Sequence, residues 1–338
     1  MIRRAWEIVA PGRGRVVQEE LGEPAPDEVI VTSEAGAVSR GSEALVFAGA
    51  SADEAGAADG IAALQGTGTY PRRYGYTLVG RVAQVGADLD RSDWHQRRVF
   101  VFHPHADACR VAARDTVPVP DGVPADRATL YPNLETALTL VWDLAPLPGE
   151  RVVVFGLGLV GLLTALLLAH SGVRPDVVEP DAARRESAAA LLGSLGARVL
   201  AAPPTAVELG VAHAGYGGYD AAVEVTGNPA VLDQAIEAVG FAGRIVVGSW
   251  YGARRHPVDL GGRFHRARQS LIASQVSHIP AHLSARFDRA RRSAAVWQLA
   301  HTLPLADLPR RDLQLDELAQ VLAPDATALP QWLCVRYP

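Results

Sequence analysis

The chain has 338 residues, of which 49% are hydrophobic and 20% are charged, a composition typical of a globular protein long enough for two domains. Its formal net charge of −5 gives no basic surface of the kind that binds nucleic acid, and all 32 basic residues are arginine, which excludes Schiff-base chemistry on a lysine. Two cysteines are too few for a structural thiolate zinc site or a disulfide framework, and no apolar run is long enough to span a bilayer, so we expect a cytoplasmic protein that does not enter the membrane.

The first 118 residues are expected to be mainly β structure. Apolar and polar positions alternate through residues 1–35, which predicts short antiparallel strands, and strand patterns return at residues 76–82 and 98–102. Residues 48–69 are rich in alanine and glycine without a clear period and predict a surface loop.

A change of pattern follows near residue 146. Residues 126–144 have apolar positions at helical spacing, and Pro148-Gly149-Glu150 then interrupts the chain. We therefore expect a domain boundary near residue 146.

The next segment has the spacing of a dinucleotide-binding unit. A β-branched run at residues 152–155 leads into Gly156, Gly158 and Gly161 and then into an apolar helix, and Glu179 lies 18 residues after the third glycine, at the end of a second short apolar run. The first glycine permits the sharp turn, the second lets the backbone approach a pyrophosphate, and the third lets the helix pack closely on the strand. The helix N-terminus would then face the phosphates.

Strand and helix patterns alternate beyond this unit. Strands are expected at residues 220–224 and 244–247, with a helix that Asn228-Pro229 caps and that runs to Val239 between them, and a last strand at residues 271–276. This alternation predicts a Rossmann-like, doubly wound parallel sheet with helices on both faces, in an α/β domain.

The final elements are expected to return to the N-terminal domain. They are a helix at residues 283–299, a short helix at 315–322 and a strand at 332–336. The predicted domains are thus residues 1–145 with 276–338, mainly β, and residues 146–275, which bind a dinucleotide.

Short motifs give the chain a resemblance to the medium-chain dehydrogenase/reductase superfamily. Residues 40–43 resemble its Cys-Gly-Ser/Thr-Asp/Glu motif, and residues 75–80 resemble its Gly-His-Glu-x-x-Gly. The sequences of residues 39–43, 133–137 and 249–252 are most similar to those of a subgroup that includes bacteriochlorophyllide a dehydrogenase. The resemblance implies a GroES-like catalytic domain beside the dinucleotide domain.

The chain departs from this family where zinc would bind. The positions of the three zinc ligands correspond to Arg40, Tyr76 and roughly Pro132, none of which is a zinc ligand, and the family's four-cysteine lobe is reduced to Cys109. Nearby His103, His105 and Asp107 could hold a metal in principle, but we expect a polar loop at a strand end. The resemblance therefore implies an enzyme without zinc.

Four residues are candidates for chemistry at a substrate oxygen. Arg40, placed by the resemblance in the cleft between domains, can bind a carboxylate or phosphate, or it can form an internal ion pair with Glu43. Ser42 aligns with the family's proton-relay hydroxyl, and Tyr76 would act as an acid or base only if its pKa were lowered. Glu135 titrates near neutrality if it is buried, or it is ion-paired.

The candidate cofactor residues lie after successive strands. They are Gly156, Gly158, Leu159, Val160, Gly161, Glu179, Arg184, Thr226, Gly227 and Ser249. Glu179 would repel a 2′-phosphate and so favours NAD over NADP, although Arg184 and Arg185 stand close enough in the chain to reach a phosphate. Trp250 and Tyr251 either line the substrate pocket or pack between domains.

The leading hypothesis is a zinc-independent NAD(H) oxidoreductase that acts on a secondary alcohol or ketone of a small metabolite. Recognition by Arg40 would favour a metabolite that carries an anionic group. Three alternatives remain: an NAD(P)H-dependent C=C reductase, a redox-neutral enzyme with tightly bound NAD, and a non-catalytic nucleotide-binding protein. The resemblance also implies a homodimer, with residues 271–276 as the paired edge strand.

Overall fold

The computed structural model describes residues 1–50, 69–209 and 216–338. These residues divide into two compact units, one made of residues 1–132 with 310–338 and the other of residues 133–309. The predicted surface loop at 48–69 lies for the most part outside the described residues. In the parts that are described, no helix has both the length and the apolar character needed to cross a membrane.

The first unit is built mainly from strands. Its N-terminal part contains β1 (Ile2–Ala10), β2 (Arg13–Glu20), β3 (Glu28–Ala37), α1 (Arg40–Phe47), β4 (Leu78–Val85), α2 (Arg91–Trp94), β5 (Arg98–Val101), β6 (Ala108–Ala112), β7 (Thr116–Pro118) and α3 (Ala125–Ala128). The predicted strands of this region are therefore present, and the alternation that predicted them appears as strands with one face buried.

The second unit alternates strands and helices. The elements from its start onward are α4 (Tyr131–Leu144), β8 (Val152–Phe155), α5 (Leu159–His170), β9 (Asp176–Val178), α6 (Ala182–Ser194), β10 (Arg198–Leu200), β11 (Tyr219–Glu224), α7 (Val231–Ala238), β12 (Val239–Val247), β13 (Ser270–Ala273) and α8 (Arg289–Thr302). The chain then returns to the first unit through β14 (Arg310–Leu313), α9 (Leu318–Leu322) and β15 (Trp332–Arg336).

The sheet of the second unit has one strand order from edge to edge, β10-β9-β8-β11-β12-β13, and all neighbouring pairs are parallel. In chain order this is 3-2-1-4-5-6, the order of a dinucleotide-binding sheet, with its switch point between β8 and β11. All four residues of β8 are buried, as expected for a strand covered on both faces. The predicted doubly wound sheet is confirmed.

The sheet of the first unit joins both ends of the chain. Its order is β14-β15-β3-β4-β5-β7, and β6 also pairs with β3. Apolar side chains of β1, α1, α9 and β15 form one core: Trp6, Ile8, Phe47, Leu318, Leu322 and Val335. Of the final elements expected to return to the N-terminal domain, those from residue 310 onward do so, whereas α8 (Arg289–Thr302) lies in the second unit. The unit boundaries therefore fall at residues 132 and 310 and not at 145 and 276 as predicted.

Three predicted helices have different bounds in the structure. The helix predicted over 126–144 is two helices, because Pro132 cannot donate a backbone hydrogen bond and suits only a first turn, where α4 restarts. The helix predicted over 283–299 begins at Arg289, because the side chain of Asp288 accepts the Arg291 N–H and caps it. The helix that Asn228-Pro229 was expected to cap begins at Val231.

The last strand of the sheet is shorter than predicted. β13 ends at Ala273, and its four residues pair with residues 244–247 of β12. β12 itself ends at Val247, so a longer β13 would have no partner to pair with on that side.

Candidate functional site

The glycine turn after β8 forms an open cradle at the N-terminus of α5. Gly156 has φ +101°, and a side chain on Gly161 would put its Cβ 2.0 Å from the Gly156 carbonyl oxygen. A Cβ on Gly158, in contrast, would have no neighbour within 4 Å. Only glycine can therefore close the turn against the helix at Gly156 and Gly161, and the space above Gly158 is free to receive a ligand.

The helix that follows supplies donors for an anion. It begins at Leu159, so Leu159, Val160 and Gly161 carry N–H groups that have no acceptor within the α-helix. Such N–H groups, together with the positive end of the helix dipole, favour a phosphate. The residues present therefore fit a dinucleotide pyrophosphate.

Glu179 follows β9 and turns back toward the glycine turn. Glu179 is 5% exposed. Its carboxylate oxygens accept hydrogen bonds from the backbone N–H groups of Leu157 and Asp181, each at 3.0 Å. Arg184 lies with a guanidinium nitrogen 3.8 Å from the same carboxylate. A hydrogen bond therefore joins Glu179 to the glycine turn through Leu157.

The loop after β11 adjoins the same turn. A Cβ on Gly156 would lie 3.1 Å from the Cα of Thr226, and the Gly227 N–H donates to the Ser249 hydroxyl at 2.8 Å. The sheet order thus brings the candidate cofactor residues of four strands to one edge, at the carboxyl ends of β8, β9, β11 and β12. Ligands of open α/β sheets bind at this edge.

A cluster of hydroxyl groups lies in the first unit. The Ser42 hydroxyl is 3.2 Å from the Tyr76 hydroxyl. Burial raises the pKa of Tyr76 to about 12, against an opposing effect of the hydroxyls of Ser39 and Ser42. The lowered pKa that an acid–base role for Tyr76 would need is therefore not found, and near neutral pH its hydroxyl is protonated and can donate a hydrogen bond.

A buried carboxylate–imidazole pair lies beside this cluster. Glu43 accepts from the Ser39 N–H at 2.7 Å and contacts His105 Nε2 at 2.8 Å, while His105 is 0% exposed. The sequence offers Glu43 as a partner of Arg40 and does not indicate this pair. The two residues are 62 positions apart, and no local pattern signals their contact.

Arg40 is engaged with backbone rather than with an acid. Its Nε donates to the Val321 carbonyl at 3.0 Å, and Nη2 donates to the carbonyls of Ala326, at 2.7 Å, and Ala323, at 3.4 Å. The ion pair with Glu43, one of the two alternatives for Arg40, is not among its described contacts, and Glu43 instead contacts Ser39 and His105. A guanidinium at the end of α9 satisfies carbonyls that a helix leaves unpaired.

Glu135 is buried and ion-paired within the second unit. Its Oε1 lies 3.2 Å from Arg292 Nε, and the side chains of both residues are nearly inaccessible to solvent. Arg292 also donates to the carbonyl of Val276 at 2.5 Å. Of the two interpretations of Glu135, the contacts match the ion pair.

The described residues contain no group of three histidine, cysteine or acidic side chains able to hold a metal. His103 Nδ1 donates to the Pro104 carbonyl, His105 contacts Glu43, and Asp107 accepts the Arg4 N–H. Each of these three residues thus has its own protein partner. Arg40, Tyr76 and Pro132 do not supply the donor set that zinc requires.

Two units of this construction define the fold of the medium-chain dehydrogenase/reductase superfamily. A zinc-binding dehydrogenase, so described, of Sinorhizobium meliloti 1021 was solved bound to NADP and has a TM-score of 0.76 and 18% identity, with 100% of each chain covered. The 2R,3R-butanediol dehydrogenase of Bacillus subtilis has a TM-score of 0.74 and 20% identity, with 99% of this chain and 100% of that chain covered. The predicted fold is therefore confirmed, since the chain has the fold of these two solved proteins.

Sequence comparison agrees over a shorter stretch. The chain is 31% identical to the (R,R)-butanediol dehydrogenase of Bacillus subtilis (strain 168) over 144 residues, which are 42% of this chain and 41% of that protein. The chain thus matches about two fifths of the length of this curated relative. No protein-family model matches the chain.

Proposed function

We propose that the chain is a zinc-independent, NAD(H)-dependent oxidoreductase that acts on a secondary alcohol or the corresponding ketone of a small molecule. The observation that carries this proposal is the glycine cradle at the switch point of a 3-2-1-4-5-6 sheet. The name of the Bacillus subtilis relative, a butanediol dehydrogenase, supports a secondary alcohol as the substrate class.

A bound nicotinamide supplies a hydride to the substrate carbon or accepts one from it. Residues of this chain provide the rest of the site. Within the second unit, the N–H groups at the start of α5 would bind the pyrophosphate. Within the first unit, the hydroxyl pair of Ser42 and Tyr76 is the candidate hydrogen-bond donor to a substrate oxygen, where negative charge develops. Arg40 and Glu135 receive no chemical role, since backbone carbonyls and Arg292 engage them.

Independence from zinc is supported by the side chains at the expected ligand positions. A guanidinium, a phenol with a raised pKa and a proline cannot replace the thiolates and imidazole that hold zinc. Hydrogen-bond donors would then polarise the carbonyl.

A preference for NAD over NADP is supported by Glu179. Its buried carboxylate follows β9, where an acid binds ribose hydroxyls, and a 2′-phosphate there would meet like charge. Arg184 Nη1 lies 3.8 Å from Glu179 Oε2, so the charge of this arginine is partly neutralised by Glu179 and attracts a phosphate less strongly.

The proposal is tested by Gly158→Ala with Gly193→Ala as its matched control. Neither added methyl group meets an atom within 4 Å, so both variants should fold. A methyl above the cradle should weaken NADH binding at least about tenfold, which is about 1.4 kcal/mol, because it occupies the approach of the pyrophosphate. Gly193 lies in α6, away from the turn, and its variant should bind as the unmodified protein does.

Binding is measured by fluorescence titration, and turnover with butane-2,3-diol and NAD⁺ by NADH absorbance. Equal affinity of both variants for NADH would contradict the assignment of the cradle. Tight NADH binding without turnover of any secondary alcohol or ketone would favour a non-catalytic nucleotide-binding protein.

A further inference from the structure

In the described part of the second unit, one buried carboxylate has no cationic partner. Glu224, the last residue of β11, is 0% exposed. Its Oε1 accepts the Thr226 N–H and hydroxyl, and its Oε2 accepts the Tyr251 hydroxyl at 2.5 Å. All of these donors are neutral, and no arginine or histidine pairs with Glu224 in the described ranges.

The other buried acids of the same unit are paired. Asp176 contacts Arg198, Glu135 contacts Arg292, and Glu179 lies near Arg184. Burying a charge without a counter-charge costs free energy, even where hydrogen bonds satisfy its oxygens. Glu224 is therefore the buried acid of this unit for which an incoming cation would be most favourable.

The position of Glu224 suggests which cation that is. It ends β11 at the switch point, and the loop that follows it adjoins the glycine turn. In a sheet of this order the adenosine half of a dinucleotide lies on the side of the acid after the second strand, here Glu179 after β9. The nicotinamide half then falls on the side of β11 and β12.

We propose that Glu224 is the counter-charge for the oxidised nicotinamide ring and determines the preference of the site for NAD⁺ over NADH. This inference depends on the proposed function, because it requires a nicotinamide cofactor. The oxidised ring is a cation and the reduced ring is neutral, so a nearby buried carboxylate stabilises only the former.

The test compares dissociation constants for NAD⁺ and NADH in the purified full chain. Glu224→Gln keeps the shape and removes the charge, and we expect it to weaken NAD⁺ binding about 3- to 15-fold while NADH binding changes less than about twofold. The matched control is Asp176→Asn, which removes a buried acid at the amino end of β9, in the same sheet. It should leave the ratio of the two constants unchanged.

A merely structural role would give a different result. If Glu224 only braced the loop, Glu224→Gln and Tyr251→Phe would weaken both cofactors equally, and the ratio would stay constant. That outcome would overturn the inference but not the proposed function. If neither cofactor binds the unmodified protein, the proposed function itself fails.

A measurement on the unmodified protein keeps the test valid should Glu224→Gln not fold. With Glu224 as counter-charge, NAD⁺ should bind about as tightly as NADH or more tightly. NADH binding more than about tenfold tighter than NAD⁺ would overturn the inference.

Discussion

The Arg40 guanidinium donates hydrogen bonds to three backbone carbonyls at and just after the end of α9. Replacing Arg40→Met should lower the free energy of unfolding by about 1 to 3 kcal/mol, because the carbonyls lose their donors, and should leave NADH binding unchanged. Arg40→Lys is the control for charge, and it should lose most of the same stability because an ammonium cannot match the planar fork. Chemical denaturation measures both. A large fall in kcat/KM with unchanged stability would instead support recognition of an anionic substrate.

His103 makes the stability of the first unit sensitive to acid. Burial lowers the pKa of His103 from 6.5 to about 4, although its hydrogen bond to Pro104 opposes this. The unfolded chain therefore binds a proton more readily, and stability that is complete above about pH 6.5 is lost as the pH falls toward 4. In His103→Gln this loss should be smaller, as urea midpoints at about pH 7.5 and 5 would reveal. An identical loss in both proteins would exclude His103 as a source of acid sensitivity.

Glu179 accepts hydrogen bonds from two backbone N–H groups and so stabilises the glycine turn. We expect the unmodified protein to bind NADH more tightly than NADPH, and Glu179→Ser to narrow the difference by removing like-charge repulsion. The variant should also bind NADH less tightly, since Leu157 loses its acceptor. Titration of both proteins with NADH and NADPH measures these differences in affinity. Tighter NADPH binding by the unmodified protein would show that attraction of the 2′-phosphate by Arg184 and Arg185 exceeds its repulsion by Glu179.

At the scale of elements, β13 is the exposed edge of the parallel sheet. It ends the strand order, and Leu271 within it is 42% exposed. Because an edge strand carries unpaired backbone groups, we expect two copies of the chain to pair there as a homodimer. Light scattering should give a dimer for the unmodified protein and a monomer for Leu271→Glu. The control Val207→Glu, at a position 81% exposed outside the sheet, should stay dimeric. A monomeric unmodified protein would contradict the prediction.

Elements with a strong local signal were predictable from sequence. The strand at 332–336 and the glycine turn have the predicted bounds, because hydrophobic alternation and glycine spacing are local properties. The helix predicted from residue 283 starts six residues late, because a side-chain cap at Asp288 fixes its start. The length of β13 is limited by its partner strand, which a one-dimensional pattern does not contain.

The candidate site was predictable to different degrees in the two units. The dinucleotide residues follow strands at a recognisable spacing, so sequence placed them at one edge of the sheet. The contacts of Glu43 with His105 and of Arg40 with residues 321–326 connect distant parts of the chain. Such contacts depend on how β3, β6 and β15 pair, and residue type alone does not indicate them.

For the molecule as a whole, we predict that the purified protein contains no stoichiometric zinc. The positions that the family resemblance assigns to zinc ligands carry Arg40 and Tyr76, and no cluster of three possible ligands lies in the described residues. Elemental analysis should find well below one zinc per chain, and treatment with a chelator should leave stability and turnover unchanged. One tightly bound zinc per chain would mean that its ligands lie elsewhere than expected.

The first unit is assembled from two segments that are far apart in the chain, residues 1–132 and 310–338. β15 pairs with β3, and β14 reaches the sheet only through β15. During synthesis on the ribosome, β6 is available early to cover residues 28–32 of β3, whereas residues 35–37 of β3 lack their partner strand until residue 336 is made. An uncovered strand edge is open to pairing with other nascent chains. Slow translation or truncation before β15 should therefore expose this protein to aggregation through its first unit.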